Sequence, residues 1–94
     1  MFELEATEHA RSALRALRED DPGFFSAVSA RIRAIRSDPG DRGAGRAFLL
    51  EDGTTARLTT VRHPRSDGMF AIVWIVTVRS PTPCVRLIAA SRIG

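Results

Sequence analysis

The stretch Met69-Phe70-Ala71-Ile72-Val73-Trp74-Ile75-Val76-Thr77-Val78 is apolar on both alternating sets of positions, and no other feature restricts the fold as much. Its aromatic and β-branched content predicts a strand, set here at Met69–Arg79. With no polar set of positions, that strand fits a central place in the sheet, covered on both faces or partly by a partner. The run is about half of what a bilayer-spanning helix needs, so no membrane segment or membrane partner is expected. Ninety-four residues leave room for one small domain, 1–94, around this strand, which excludes multidomain enzymes and large cofactor folds.

Short, β-branched apolar runs flank it, separated by Asp52-Gly53, Ser66-Asp67-Gly68 and Ser80-Pro81-Thr82-Pro83. They predict strands at Thr55–Arg62 and Val85–Ser91, with a further short strand at Arg46–Glu51. Connections this short force antiparallel neighbours. Upstream the periodicity is helical. Thr7 is placed to cap a helix of about 12–14 residues carrying Ala10, Leu14 and Leu17 on one face. Arg11, Arg15 and Arg18 form a solvated stripe beside it, joined by Glu8–Arg11 and Arg15–Glu19 pairs. Asp21-Pro22 then reads as an N-cap followed by proline at the first helical position. This second helix carries Phe25, Val28, Ile32 and Ile35 and stops at Asp38-Pro39-Gly40, after which residues 41–45 form a connector. Phe2-Glu3-Leu4-Glu5 alternates and can add an edge strand. The expected fold is α+β, a helical hairpin packed on a small, mainly antiparallel sheet in the order β-α-α-β-β-β.

Charge divides the chain unevenly. All 14 basic side chains are arginine; residues 1–52 hold eight of them against ten acids, whereas residues 53–94 hold six against Asp67 alone. The strand-rich half should therefore present a basic surface suited to a polyanion or an acidic protein. Cys84 is the only cysteine, so no internal disulfide is possible and a reducing, cytoplasmic setting is expected. His9, His63 and Cys84 lack metal-ligand spacing, and neither a metal nor a cofactor is expected.

In this order the chain resembles the RelE/ParE family of bacterial toxins from toxin–antitoxin systems. The resemblance rests on Phe2-Glu3-Leu4-Glu5-Ala6-Thr7 leading into the first helix, and on Ile35-Arg36-Ser37-Asp38-Pro39 closing the second. It continues in Phe70-Ala71-Ile72-Val73-Trp74-Ile75-Val76 and Val85-Arg86-Leu87-Ile88-Ala89-Ala90-Ser91-Arg92. It implies one of two activities, with an antitoxin protein as partner in both. RelE-like members are endoribonucleases that cut messenger RNA on the ribosome, whereas ParE-like members are non-catalytic inhibitors of DNA gyrase. A diverged member that only docks a protein is a further form of the second class.

RNA cleavage needs cations at the scissile phosphate and a group to take the 2′-hydroxyl proton. The resemblance carries over Arg57 on its strand and Arg92 near the end. Ala71 stands where the family has a characteristic arginine, Trp74 stands in place of tyrosine, and the chain has no tyrosine at all. Strand alternation puts Arg57, Thr59, Val61 and His63 on one face, and Arg86, Ile88, Ala90 and Arg92 on one face. If those faces coincide, Arg57, Arg86 and Arg92 form a basic patch beside His63, a residue type that titrates near neutral pH. Arg57, His63 and Arg92 are thus the candidate catalytic residues, and Arg62, Arg65 and Arg86 the candidate RNA-binding residues.

Overall fold

The computed structural model describes residues 2–40, 45–78 and 83–93. Strand β1 (Glu3–Ala6) leads into helices α1 (Glu8–Asp20) and α2 (Pro22–Ser37), followed by strands β2 (Arg46–Leu49), β3 (Thr55–Arg62), β4 (Met69–Val78) and β5 (Pro83–Ile93). They form one five-stranded sheet in the order β1-β5-β4-β3-β2. All neighbours are antiparallel except β1 and β5, which run parallel. The expected α+β architecture is therefore present, with the short extra strand included and β4 at the centre. Arg79, residues 80–82 of the last predicted turn and residues 41–44 of the connector lie outside the described residues.

The helix starts follow local chemistry. Thr7 is extended and its hydroxyl oxygen accepts from the Ala10 amide at 3.2 Å. The same hydroxyl donates to the Ile88 carbonyl at 2.9 Å, which ties the start of α1 to β5. Asp21 serves both helices. Its amide donates to the Leu17 carbonyl at 2.8 Å, ending α1, and its carboxylate accepts from the Phe24 amide at 3.1 Å, opening α2 with Pro22 in the first turn. One residue between two helices fixes the hairpin angle.

Three local expectations are corrected. Phe24, fully buried, takes the core position assigned to Phe25, because the stripe Phe24, Val28, Ile32 and Ile35 faces the sheet and Phe25 lies one residue round the helix. The Glu8–Arg11 and Arg15–Glu19 pairs are not formed among the described residues; Arg11 donates instead to the Ala6 carbonyl at 3.0 Å, and Glu8 accepts from Ser12. Strand β2 stops at Leu49 and not Glu51, since Leu50 enters a turn in which its carbonyl accepts from Gly53 and its amide donates to Thr54. Gly53 sits at φ +87°, where a Cβ is unfavourable.

The core lies between the helical hairpin and one face of the sheet. Phe70, Ile72 and Trp74 of β4 join Val61 of β3, Val85, Leu87 and Ala90 of β5, and the two helical stripes. Trp74 is completely buried, and its indole N–H donates to the buried Thr59 hydroxyl at 2.9 Å. The other face of the sheet, formed by Leu58, Ala71, Val73, Ile75 and Ala89, carries no helix among the described residues. Both faces of β4 are apolar for different reasons, and only one of them is covered by the hairpin.

Candidate functional site

The six candidate residues are dispersed over the sheet and its edges. At the helix–helix joint, Asp21 collects two of them: His63 Nε2 lies 2.8 Å from Asp21 Oδ2, and Arg92 Nη2 lies 3.5 Å from the same oxygen. Arg92 Nη1 also reaches Asp20 at 2.6 Å, and its guanidinium lies over the Phe24 ring at 5.6 Å. Phe24 meets the His63 ring edge-on at 4.7 Å, which leaves the imidazole 13% exposed. The Asp21 carboxyl is held below its ordinary range by the His63 hydrogen bond first, then by the Phe24 amide, with the Arg92 charge assisting.

This geometry fixes the tautomer of His63. The Arg65 amide donates to Nδ1 at 2.9 Å, and because an amide N–H can only donate, the ring proton resides on Nε2 and points at Asp21. Both ring nitrogens are thereby engaged. A general base needs an open lone pair facing its substrate, and the one lone pair of this ring accepts from backbone. The cluster clamps the end of β3 and the end of β5 to the helical joint.

Arg57 lies at the opposite end of the sheet. Six residue steps along the chain separate it from His63, about 20 Å at roughly 3.3 Å per step. There its Nη1 donates to the Gly45 carbonyl at 3.3 Å and its guanidinium lies 5.9 Å from the Trp74 ring centre. It borders an open groove of about 390 Å³ where the sheet extends past the hairpin, lined mainly by Phe2, Pro39, Gly40, Trp74 and Val76. The groove is apolar with one cation at its edge.

The remaining arginines face elsewhere. Residues 57, 59 and 61 do share the helix-facing side of β3, as expected, and Arg92 joins that side through its pairing with Phe70. Arg86 does not. Val73 pairs with Ala89 and Trp74 with Leu87, so Ile88 is the extra residue of a β-bulge. The bulge reverses the alternation between positions 86 and 92. Arg86 consequently lies on the outer face beside Ile75, and the expected patch of Arg57, Arg86 and Arg92 is not formed. Arg62 is also on the outer face, level with Met69 and Ile93, while Arg65 is exposed in the β3–β4 turn. Ala71, where the resemblance led to the expectation of an arginine, is flanked in register by Thr60 and Ser91. On the same face Arg62 lies two residues further along β3 from Thr60.

Asp20, Asp21 and Phe24 organise the cluster, and sequence reading assigned none of them to it. The signal was present in the Asp21-Pro22 cap, but capping alone does not reveal which strand residues converge on the same carboxylate. Among the described residues no three His, Cys, Asp or Glu side chains gather as a metal site would require, and no helix is long and apolar enough to cross a membrane.

Comparison with solved structures finds a YoeB/ParE toxin from Agrobacterium tumefaciens that superposes with a TM-score of 0.69 over 99% of this chain and 100% of that one, at 13% sequence identity. Neither protein-family models nor curated protein sequences give a match. The fold is thus that of a YoeB/ParE toxin.

Proposed function

We propose that this chain is the toxin of a toxin–antitoxin pair and acts by docking a protein target, without cutting RNA. The observation that carries this reading is the dispersal of the cationic groups: Arg57 stands at one end of the sheet, His63 and Arg92 are committed to Asp21 at the other, and Arg86 faces away. A phosphorane-like transition state needs its cations and its proton acceptor within hydrogen-bond reach of one phosphate. The neutral methyl of Ala71, where the resemblance implies a cation, supports the same conclusion. Among targets, DNA gyrase is the one that a ParE-like chain implies.

The antitoxin is an acidic, apolar segment that lies along the groove beside Trp74, with a carboxylate on Arg57. The pair operates in the cytoplasm.

Induced expression tests this directly. Growth should stop, messenger RNA should stay intact, gyrase-linked DNA breaks should accumulate, and a small acidic neighbouring protein should restore growth and co-purify. Arg57→Glu should weaken that co-purification. Ribosome-dependent RNA cleavage that is lost in Arg57→Ala or Arg92→Ala would replace docking by the ribonuclease reading, which also draws on Arg62, Arg65 and Arg86. Normal growth on induction would remove the toxin reading altogether.

A further inference from the structure

Strand β2 has β3 on one side and no described strand on the other. All four of its residues are exposed, including Phe48 at 38% and Leu49 at 73%, the most exposed large apolar side chain among the described residues. The phase of its ladder follows from the Leu50 amide, which donates to the Thr54 carbonyl at 2.8 Å. In an antiparallel pair the hydrogen-bonded positions alternate. Arg46 and Phe48 therefore exchange bonds with Leu58 and Ala56, while the amides and carbonyls of Ala47 and Leu49 point away from the sheet. The opposite edge is treated differently. Beside β1, Arg11 donates to the Ala6 carbonyl at 3.0 Å and Arg36 to the Phe2 carbonyl at 2.6 Å, so helix side chains already occupy acceptors there. Strand β2 has no such cover among the described residues and contains no proline or glycine, and an open edge of this kind is a template for another strand.

We infer that a second copy of this chain occupies the β2 edge, the two β2 strands pairing antiparallel about a twofold axis normal to the sheet. Two features of the strip select its own copy as the occupant. The first is hydrogen bonding. With Phe48 facing Phe48 of the other copy, Ala47 of each chain faces Leu49 of the other, and every outward amide of these residues meets an outward carbonyl. The second is charge. Strand β2 begins with Arg46, and the turn after it holds Glu51 and Asp52, so the strip is basic at one end and acidic at the other. Antiparallel self-pairing sets Arg46 level with Leu50 of the other copy, beside its Glu51, and does so at both ends of the seam. The two Phe48 rings then sit at a non-hydrogen-bonded position, where cross-strand side chains are closest, and each Leu49 lies against Ala47 of the other chain. The product is one continuous sheet made of two five-stranded halves, and it is closed because each copy uses the same edge.

Sedimentation equilibrium on the full chain tests the inference, with circular dichroism as the check on folding. Concentration is scanned to about 1 mM, because so short a seam belongs to the weak class of interfaces. The mass should rise from 10.3 kDa to twice that value and stop there. Ala47→Pro removes an amide that β3 does not use, so the chain should fold and stay monomeric. Arg46→Glu and Glu51→Arg should each weaken the dimer about tenfold, and the double reversal should recover most of that loss. In a Cys84→Ala background, Phe48→Cys should form an intermolecular disulfide faster than Leu49→Cys, since position 48 faces itself and position 49 does not. A monomer at every concentration overturns the inference, as does a folded Ala47→Pro chain that still dimerises. A mass that climbs past the dimer overturns the closed arrangement in favour of head-to-tail addition of β2 to β1. Equal cross-linking at positions 48 and 49, or single reversals without rescue in the double variant, overturns the register. The charge reversals and the cross-link keep the test decisive if Ala47→Pro does not fold.

Discussion

The buried bond between the Trp74 indole and the Thr59 hydroxyl permits a quantitative test of the core. Both residues are nearly inaccessible, at 0% and 3%, and the bond is 2.9 Å long. Thr59→Val keeps the shape and removes the acceptor, leaving an indole N–H with no access to water. An orphaned buried donor costs about 1–3 kcal/mol. At about 4–8 °C per kcal/mol for a domain of this size, the melting temperature should fall by roughly 10 °C. Thr59 also engages other groups, so the single variant overstates this one bond. A double-mutant cycle with Trp74→Phe cancels those contributions, because Thr59→Val removes them in both backgrounds. Urea unfolding at unchanged m-value should then give a coupling of about 1–2 kcal/mol, with Thr59→Val costing less when the indole N–H is already gone. Equal costs in the two backgrounds would refute the reasoning.

Other consequences can be checked in the same way. Native Asp21 has a depressed pKa, so its contribution is complete above the unfolded value of about 3.9 and disappears as pH falls through the native value. Thermal stability should therefore drop on acidification below about pH 4, and Asp21→Asn, which can still cap the helix, should flatten that acid limb; an unchanged slope would count against the clamp. At Gly45 a Cβ would come 2.7 Å from the Thr59 hydroxyl and 2.9 Å from the Leu58 carbonyl. Gly45→Ala should lose about 1–3 kcal/mol in denaturant titration, and a neutral result would mean that the start of β2 can move aside. Gly53→Ala, forced to φ +87° in open space, should cost only about 1 kcal/mol, and a larger loss would show that the turn has contacts beyond its backbone.

Much of the fold was legible because each local signal was periodic or capping in origin. The Thr7 and Asp21 caps, the two helical stripes and the doubly apolar β4 each arise within a few neighbouring residues. The site was less legible. Alternation correctly put Arg57, Thr59 and Val61 on one side of β3, yet it failed for Arg86 and Arg92. A bulge at Ile88 is decided by how β5 fits against β4, and the run Val85 to Arg92 contains no glycine or proline to announce it. His63 could be recognised as a strand-end histidine, but its partner Asp21 lies 42 positions earlier and meets it only through packing. Sharing a strand face does not make a site, because the length of β3 separates Arg57 from His63.

The parallel pairing of β1 with β5 has a consequence for how the chain acquires its shape. The Thr7–Ile88 bond joins residues 81 positions apart, and Val85, Leu87 and Ala90 of the core all belong to β5, which follows the other four strands in the chain. Until synthesis has passed β5, β1 has no neighbour and the β4 edge stays open. Contacts of such long range are slow to form, because the loop must close before they contribute. The nascent chain should therefore spend most of its synthesis as a helical hairpin and a growing β2–β3–β4 meander, with its core still exposed. A partner that recognises the finished sheet would find no surface to bind until β5 has been made, and would gain one once β5 slides between β1 and β4.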